Sequence, residues 1–356
     1  MKQVDVDQDS LELYDFQLPR ELIAQHPVEH RIDSRLMLIR RETGEIEHFY
    51  VRDLPDLVQV GDALALNNSK VIPARLTGVR TSTGGRWEGL YLREEAGVWE
   101  ILSKTRGSLT VGETISLRDR DGRNCPALMI AAKLDDGHLA VRPLLEGSSE
   151  EILARFGRVP LPPYIRDGQM VDKDTETYQT VYAKEPGSVA APTAGLHFTT
   201  DLIRHLQKRG TITAALTLHV GLGTFRPMNG QRLSDHKMHS EWGELLETSC
   251  AKLRHCRENG GRVIAVGTTS ARVLESAAAQ TGSVFQPWRG STDIFIRPPY
   301  EFVALDALMT NFHLPKSTLL ALVSAFAGRD LIMRAYHIAI EQRYRFYSYG
   351  DCMLIV

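Results

Sequence analysis

VIPARLTGVR (71–80), RWEGLYLRE (86–94), VWEILSKT (98–105), ETISLRD (113–119), CPALMIAAKL (125–134) and HLAVRPLL (138–145) crowd into one stretch of the chain. Each run is short and tends to alternate apolar with polar residues. The turns STGG, VGE, RDGR and DDGH separate them, and no helical stretch lies between. Closely spaced strands of this kind predict a small closed barrel. A sheet closed on itself has no edge to cover, so it can be inserted into another domain without a partner. Residues 69–150 are therefore expected to form an inserted all-β barrel domain.

Outward from the barrel the pattern changes. Upstream, LPRELIAQ (18–25) opens like a helix with Pro19 in its first turn. SRLMLIRRETGEIEHFYV (34–51) reads as two strands turning at Gly44, and VGDALALNN (60–68) as a buried strand entered through Gly61 and Asp62. Downstream, after the short helix EEILARFG (150–157), strands and helices alternate. FTTDLIRHLQKRG (198–210) is an amphipathic helix capped by Thr199 or Thr200 and closed by Gly210. ITAALTLHVG (212–221) and RVIAVGTT (262–269) read as strands, and SARVLESAAAQ (270–280) and STLLALVSAFAG (317–328) as helices. Such alternation predicts an α/β layered domain with a mostly parallel sheet, assembled from residues 1–68 and 151–356.

Bulk composition sets limits. The 356 residues are 43% hydrophobic and 24% charged, enough for two ordinary cores. Lys+Arg 42 against Asp+Glu 44 leaves a net charge of -2, so contact with nucleic acid needs a local basic patch. Cys125, Cys250, Cys256 and Cys352 lack C-x-x-C spacing and read as reduced thiols. The N-terminal stretch is acidic without an apolar core, and the longest apolar run, 319–327, is too short for a bilayer. A cytoplasmic monomer without membrane contact is expected.

In open α/β sheets, ligands bind where strand ends lead into helix starts. Four loops fit that place: APTAGLHFT (191–199), LHVGLGTFRP (218–227), VGTTSARVLE (266–275) and NFHLPKSTLL (311–320). In VGTTSARVLE, Thr268, Thr269 and Ser270 stand beside helix amides suited to a carboxylate or phosphate. The same residues would also serve as a plain helix cap. NFHLPKSTLL lacks the glycines of a phosphate loop, which disfavours a nucleoside triphosphatase. LHVGLGTFRP has the G-x-G of a dinucleotide site but continues into Phe225, Arg226 and Pro227 with no helix, which disfavours a conventional Rossmann site. His236 and His239, three apart, could share a helical face with Glu241 and Glu244 following, but no cysteine pair or His-Glu-x-x-His accompanies them. No metal is expected.

Taken in order, YDFQLPRELIAQHP (14–27), SRLM (34–37), LNNSKVIPARL (66–76), LPPYI (161–165), YQTVYAKEPGSVAAPTAGLHFT (178–199), LHVGLGTFRP, HKMHSE (236–241), VIAVGTTSARVLE, NFHLPKSTLL and YRFYSYGD (344–351) resemble the S-adenosylmethionine:tRNA ribosyltransferase-isomerase family of queuosine biosynthesis over the whole chain. The resemblance implies an α/β domain with an inserted barrel and a cleft between them. It also implies a reaction. tRNA carrying 7-aminomethyl-7-deazaguanine at the wobble position receives the ribosyl part of S-adenosylmethionine, giving epoxyqueuosine-tRNA, adenine and methionine. S-adenosylmethionine is then a cosubstrate, with no metal or redox cofactor required.

On that reading Thr268, Thr269 and Ser270 hold the methionine carboxylate or sugar oxygens, while Gly221, Gly223 and Thr224 let the nucleoside lie close to backbone. His197, His219 and His313 are the acid-base candidates, with Asp15 and Asp351 in reserve. A structural role remains open for each histidine. Arg20, Arg31, Arg35, Lys70, Arg75, Arg343 and Arg345 are candidate RNA contacts, pairing with phosphates near stacking Tyr and Phe side chains. The stretch SKTRGSLTVGE (103–113) and Gly89 in RWEGLYL depart from the family's phrasing, both within the barrel. A methyltransferase using the same cosubstrate and a non-catalytic RNA-binding protein remain alternatives. Lys70→Glu combined with Arg75→Glu is expected to weaken tRNA binding and flatten its salt dependence; a filter-binding titration with unaltered affinity would rule out that surface.

Overall fold

A computed structural model describes residues 9–221, 228 and 230–356. The chain divides into two compact units, one of residues 1–70, 164–167 and 176–356, the other of 71–163 and 168–175.

The larger unit is built on a nine-stranded sheet. In spatial order its strands are Trp288–Thr292, Glu241–Leu245, Ile212–Leu218, Ala63–Asn67, Val263–Val266, Ala307–Asn311, Cys352–Ile355, Arg35–Ile39 and Ile46–Tyr50. The central four, Ile212–Leu218 to Ala307–Asn311, run parallel. Antiparallel pairs flank them on both sides, so the sheet is parallel at its centre and mixed at its margins. The first segment of the chain joins it through Ala63–Asn67 and the hairpin at Gly44, whose φ of 72° suits glycine.

Alternation along the buried strands divides the core. Ala63, Ala65, Val263 and Ala265 face one hydrophobic cluster, and Leu64, Leu66, Ile264 and Val266 face the other. Alanines on the first face let the helix Thr268–Thr281 pack close to the central strands. Thr199 caps the helix Thr200–Lys208 by accepting from the Leu202 N–H, and Ser317 caps Thr318–Ala327 through the Leu320 N–H.

Several segments differ from their sequence-based reading. LPRELIAQ yields only a single 3-10 turn, Arg20–Leu22, because Ala24 N–H bonds to the Phe346 carbonyl instead of continuing a helix. STDIFIRP (291–298), which reads as a strand in the sequence, belongs to one only as far as Thr292, the strand being Trp288–Thr292. His236 and His239 lie outside any helix, so the shared helical face does not form. The helix Arg329–Glu341 and the strand Cys352–Ile355 have no counterpart in the sequence reading, yet the latter occupies the sheet interior.

The smaller unit contains a closed six-stranded antiparallel barrel: His138–Pro143, Val98–Thr105, Arg86–Glu95, Arg75–Arg80, Thr114–Arg118 and Asn124–Lys133, which pairs back to the first. The helix Ser149–Phe156 is tied to it by the Trp99 indole N–H, which donates to Ser149 Oγ at 2.7 Å. Gly89 has a packing reason. A Cβ there would run into the buried Trp87 ring, whose N–H donates to Ser103 Oγ at 2.8 Å, and into Ile101. Gly89→Ala is expected to displace that indole, destabilising the barrel by about 1–3 kcal/mol and altering the near-UV spectrum. An unshifted urea midpoint would contradict this packing.

Candidate functional site

Three of the four parallel strands, Ile212–Leu218, Val263–Val266 and Ala307–Asn311, lead into polar loops at one end of the sheet, and residues 191–194 join the described part of those loops there. A cleft at that end is lined by residues 191–194, by Val220, by 267–269, and by 311–314 with Ser317 and Leu319. Tyr164, Tyr347 and Ser348 complete it; the two tyrosine rings lie 4.8 Å apart, and Tyr164 Oη is 2.8 Å from Ser348 Oγ.

The helix Thr268–Thr281 starts at this cleft without a side-chain cap. Its N-cap, Gly267, has φ 91°, a conformation that L side chains rarely adopt. The first-turn amides and the positive end of the helix dipole are thus left for something other than a serine or threonine hydroxyl. Thr268 and Thr269 line the cleft, and Thr269 Oγ1 is buried with no hydrogen-bond partner among the described residues. Ser270 is different: fully buried, it donates to the Val266 carbonyl at 2.8 Å and does not reach the cleft.

Asn311, at the end of its strand, organises the wall. Its Oδ1 accepts from Thr193 Oγ1 at 2.9 Å, and its Nδ2 donates toward His197 Nε2 at 3.1 Å and the Tyr347 carbonyl at 3.2 Å. His197 therefore sits behind the wall with its proton on Nδ1. His313 lines the cleft, with Nε2 3.1 Å from Thr310 Oγ1 and its backbone N–H donating to Tyr336 Oη. Burial lowers both imidazoles to about 3, with Arg31 and Arg345 adding to the effect at His197. Both are neutral at pH 7 and are weak proton acceptors. His219 points elsewhere: it stacks on Trp242 at 5.1 Å, places Nδ1 3.0 Å from Ser69 Oγ, and is also held below the usual imidazole range by burial.

Comparison with known proteins now bears on these features. The family described as "Queuosine biosynthesis protein" matches residues 11–355. The chain is 50% identical to the S-adenosylmethionine:tRNA ribosyltransferase-isomerase of Desulfitobacterium hafniense over 97% of its length and 99% of that protein. It is also 50% identical to the Symbiobacterium thermophilum enzyme of the same name, over 96% and 98% of the two chains. Among solved structures it resembles the S-adenosylmethionine tRNA ribosyltransferase of Thermotoga maritima, at 36% identity and a TM-score of 0.55, covering 97% of this chain and all of that one. The chain belongs to the queuosine biosynthesis family. It is an enzyme of the ribosyltransferase-isomerase class.

Within this family member the remaining candidate residues fall in several places. Asp351 is buried and raised by desolvation, and its two oxygens accept the Arg35 and Arg345 backbone N–H groups at 2.9 and 2.8 Å. It holds the C-terminal turn rather than lining the cleft. Asp15 is exposed and paired with Lys316 Nζ at 2.8 Å. Gly221 N–H donates to Glu241, while Gly223 and Thr224 lie outside the described residues. Among described residues no group of three or more His, Cys, Asp or Glu could hold a metal ion, and no helix is long and apolar enough to cross a membrane.

Most of the candidate RNA-binding cations are engaged within the fold. Arg31 donates to the Glu176 and Gln179 carbonyls, and Arg35 lies 3.7 Å over the Tyr344 ring and bonds Gln342. Arg345 donates to the His26 carbonyl, and Arg75 to the Gly168 carbonyl and Glu88. Arg20 and Lys70 project from exposed positions, and Arg343 is exposed 4.0 Å from Glu21. Any loss of RNA affinity on charge reversal at 70 and 75 is thus best read from Lys70→Glu alone, since Arg75→Glu also disturbs the barrel.

The histidines make stability depend on pH. Unfolded imidazoles titrate near 6.5, whereas folded His197 and His313 do so at about 3, so the unfolded chain binds more protons in between. Their contribution is complete above pH 6.5 and is lost as pH falls toward 3. Each should lower stability by on the order of 1 kcal/mol per pH unit in that window. Urea titrations from pH 7.5 to 4.5 should show this slope, and His313→Gln should reduce it; equal slopes in the two proteins would contradict a neutral buried His313.

Proposed function

We propose that this enzyme transfers and isomerises the ribosyl moiety of S-adenosylmethionine onto 7-aminomethyl-7-deazaguanine at the tRNA wobble position, giving epoxyqueuosine-tRNA, adenine and methionine. The observation that carries the reading is the meeting of described residues from all four polar loops at one cleft, around a helix start that has no side-chain cap among the described residues. The names of the two relatives supply the cosubstrate and the RNA.

In this reading Thr269 Oγ1, buried and unpartnered, bonds a sugar oxygen, and the amides at Thr268 and Thr269 face the anionic end of the cosubstrate. Apolar Pro192, Leu314 and Leu319 flank the nucleoside and exclude water. A base removes a proton from the 5′-carbon that the sulfonium acidifies. The aminomethyl nitrogen attacks the sugar, adenine departs with a proton, and methionine leaves as a neutral thioether. A neutral His313 on the cleft wall suits hydrogen bonding to a departing or arriving group better than full proton abstraction. Reserve carboxylates Asp15 and Asp351 stand off the cleft wall. Exposed Lys70, Arg20 and Arg343 are the side chains available to phosphates. The reading places the work in the cytoplasm with a monomer and requires no metal.

Product analysis tests it. Incubation with S-adenosylmethionine and tRNA bearing the aminomethyl base should release adenine and methionine in equal amounts. S-adenosylhomocysteine in their place would mean methyl transfer, and no turnover would mean a binding protein.

A further inference from the structure

Arg272 lies in the helix Thr268–Thr281 and is only 3% exposed. Its Nη1 donates to Glu241 Oε2, and Glu241, 5% exposed, accepts the Gly221 N–H on Oε1 at 2.9 Å. The other edge of the guanidinium is unmatched. Nε and Nη2 are both buried, and neither has a hydrogen-bond partner among the described residues. Buried polar groups are nearly always satisfied, and two neighbouring orphan donors on one cation are a large departure from that rule.

The orphan pair has a particular shape. Nε–H and one Nη2–H point the same way, forming the side edge of the guanidinium that receives a carboxylate or phosphate through two parallel bonds. Glu241 occupies the far nitrogen and fixes the plane. The location is equally particular. Thr268, one helical turn before Arg272, lines the cleft, as does Val220, the residue before Gly221. The Arg272–Glu241 pair therefore lies one residue or one turn behind the wall on two separate elements. An anion bound there would share the cation with Glu241, leaving one net negative charge close to the positive end of a 14-residue helix, which favours it.

We infer that Arg272 binds the α-carboxylate at the amino-acid end of S-adenosylmethionine through its Nε–Nη2 edge, with Glu241 as the positioning residue. The inference rests on the cosubstrate reading of the cleft given above. An RNA phosphodiester carries a ribose on each side and is too bulky for so deeply buried an edge, whereas a terminal carboxylate on a flexible chain is not.

Two unreactive ligands separate the cases by calorimetry. S-adenosylhomocysteine keeps the amino-acid end; 5′-methylthioadenosine lacks it. Arg272→Gln should weaken S-adenosylhomocysteine by about 10- to 100-fold, the value of a doubly bonded charge. Binding of 5′-methylthioadenosine should be unchanged, which also reports that the variant is folded. Arg272→Lys, which keeps the charge without the fork, should fall between, and stands in if the glutamine variant fails to fold. Equal losses for both ligands, or no loss for S-adenosylhomocysteine, would overturn the inference. So would weakened binding of a tRNA anticodon stem-loop with S-adenosylhomocysteine unaffected, which would give the edge to a phosphate. If the unaltered enzyme binds neither nucleoside, the cosubstrate reading itself fails, a result distinct from any failure of Arg272.

Discussion

The amide of Asn311 ties several separate segments together at the cleft. It ends a fully buried strand in the sheet interior, and from there it reaches the loop holding Thr193 and His197 and the turn holding Tyr347. Backbone at the end of a central strand has to find partners without water, and a side-chain amide supplies both a donor and an acceptor at once. Asn67 performs a similar task two strands away, donating to the Leu218 carbonyl and accepting from the Ser69 and Leu218 N–H groups. With these joints in place, loops distant in sequence become a single wall.

Much of that wall was legible beforehand. Strand-end loops rich in threonine, glycine and asparagine stood out because a plain turn needs fewer polar groups, and described residues of each line one cleft. The barrel was legible as well, since six short alternating runs with turns between them admit few other arrangements. The family resemblance, too, stood on phrases spread along the chain, and the family match spans residues 11–355.

Other features could not be read, for identifiable physical reasons. Cys352–Ile355 is four residues long and apolar throughout, so no period distinguishes it; only its two neighbours, Ala307–Asn311 and Arg35–Ile39, define it as a strand. Ser270 and Thr269 look alike as helix-start hydroxyls, but one turns inward to the Val266 carbonyl and the other has no partner among the described residues. Arg31, Arg35, Arg75 and Arg345 resemble surface cations in sequence, and tertiary contacts with carbonyls and rings engage them. Arg272 was hidden in a different way. It sits inside a motif noted for its hydroxyls, and a charged residue in a helix normally signals solvent; here the surrounding Ser-Ala-Val-Leu pattern is buried on every side.

Closure of the barrel has a consequence for the chain as a whole. With every barrel strand paired on both sides, the barrel has no open strand edge among the described residues. Hairpin turns such as those at Gly84, Gly97 and Gly122 can then lengthen or shorten without exposing a sticky edge. The tips of the barrel are thus free to change in length without altering the pairing of its strands.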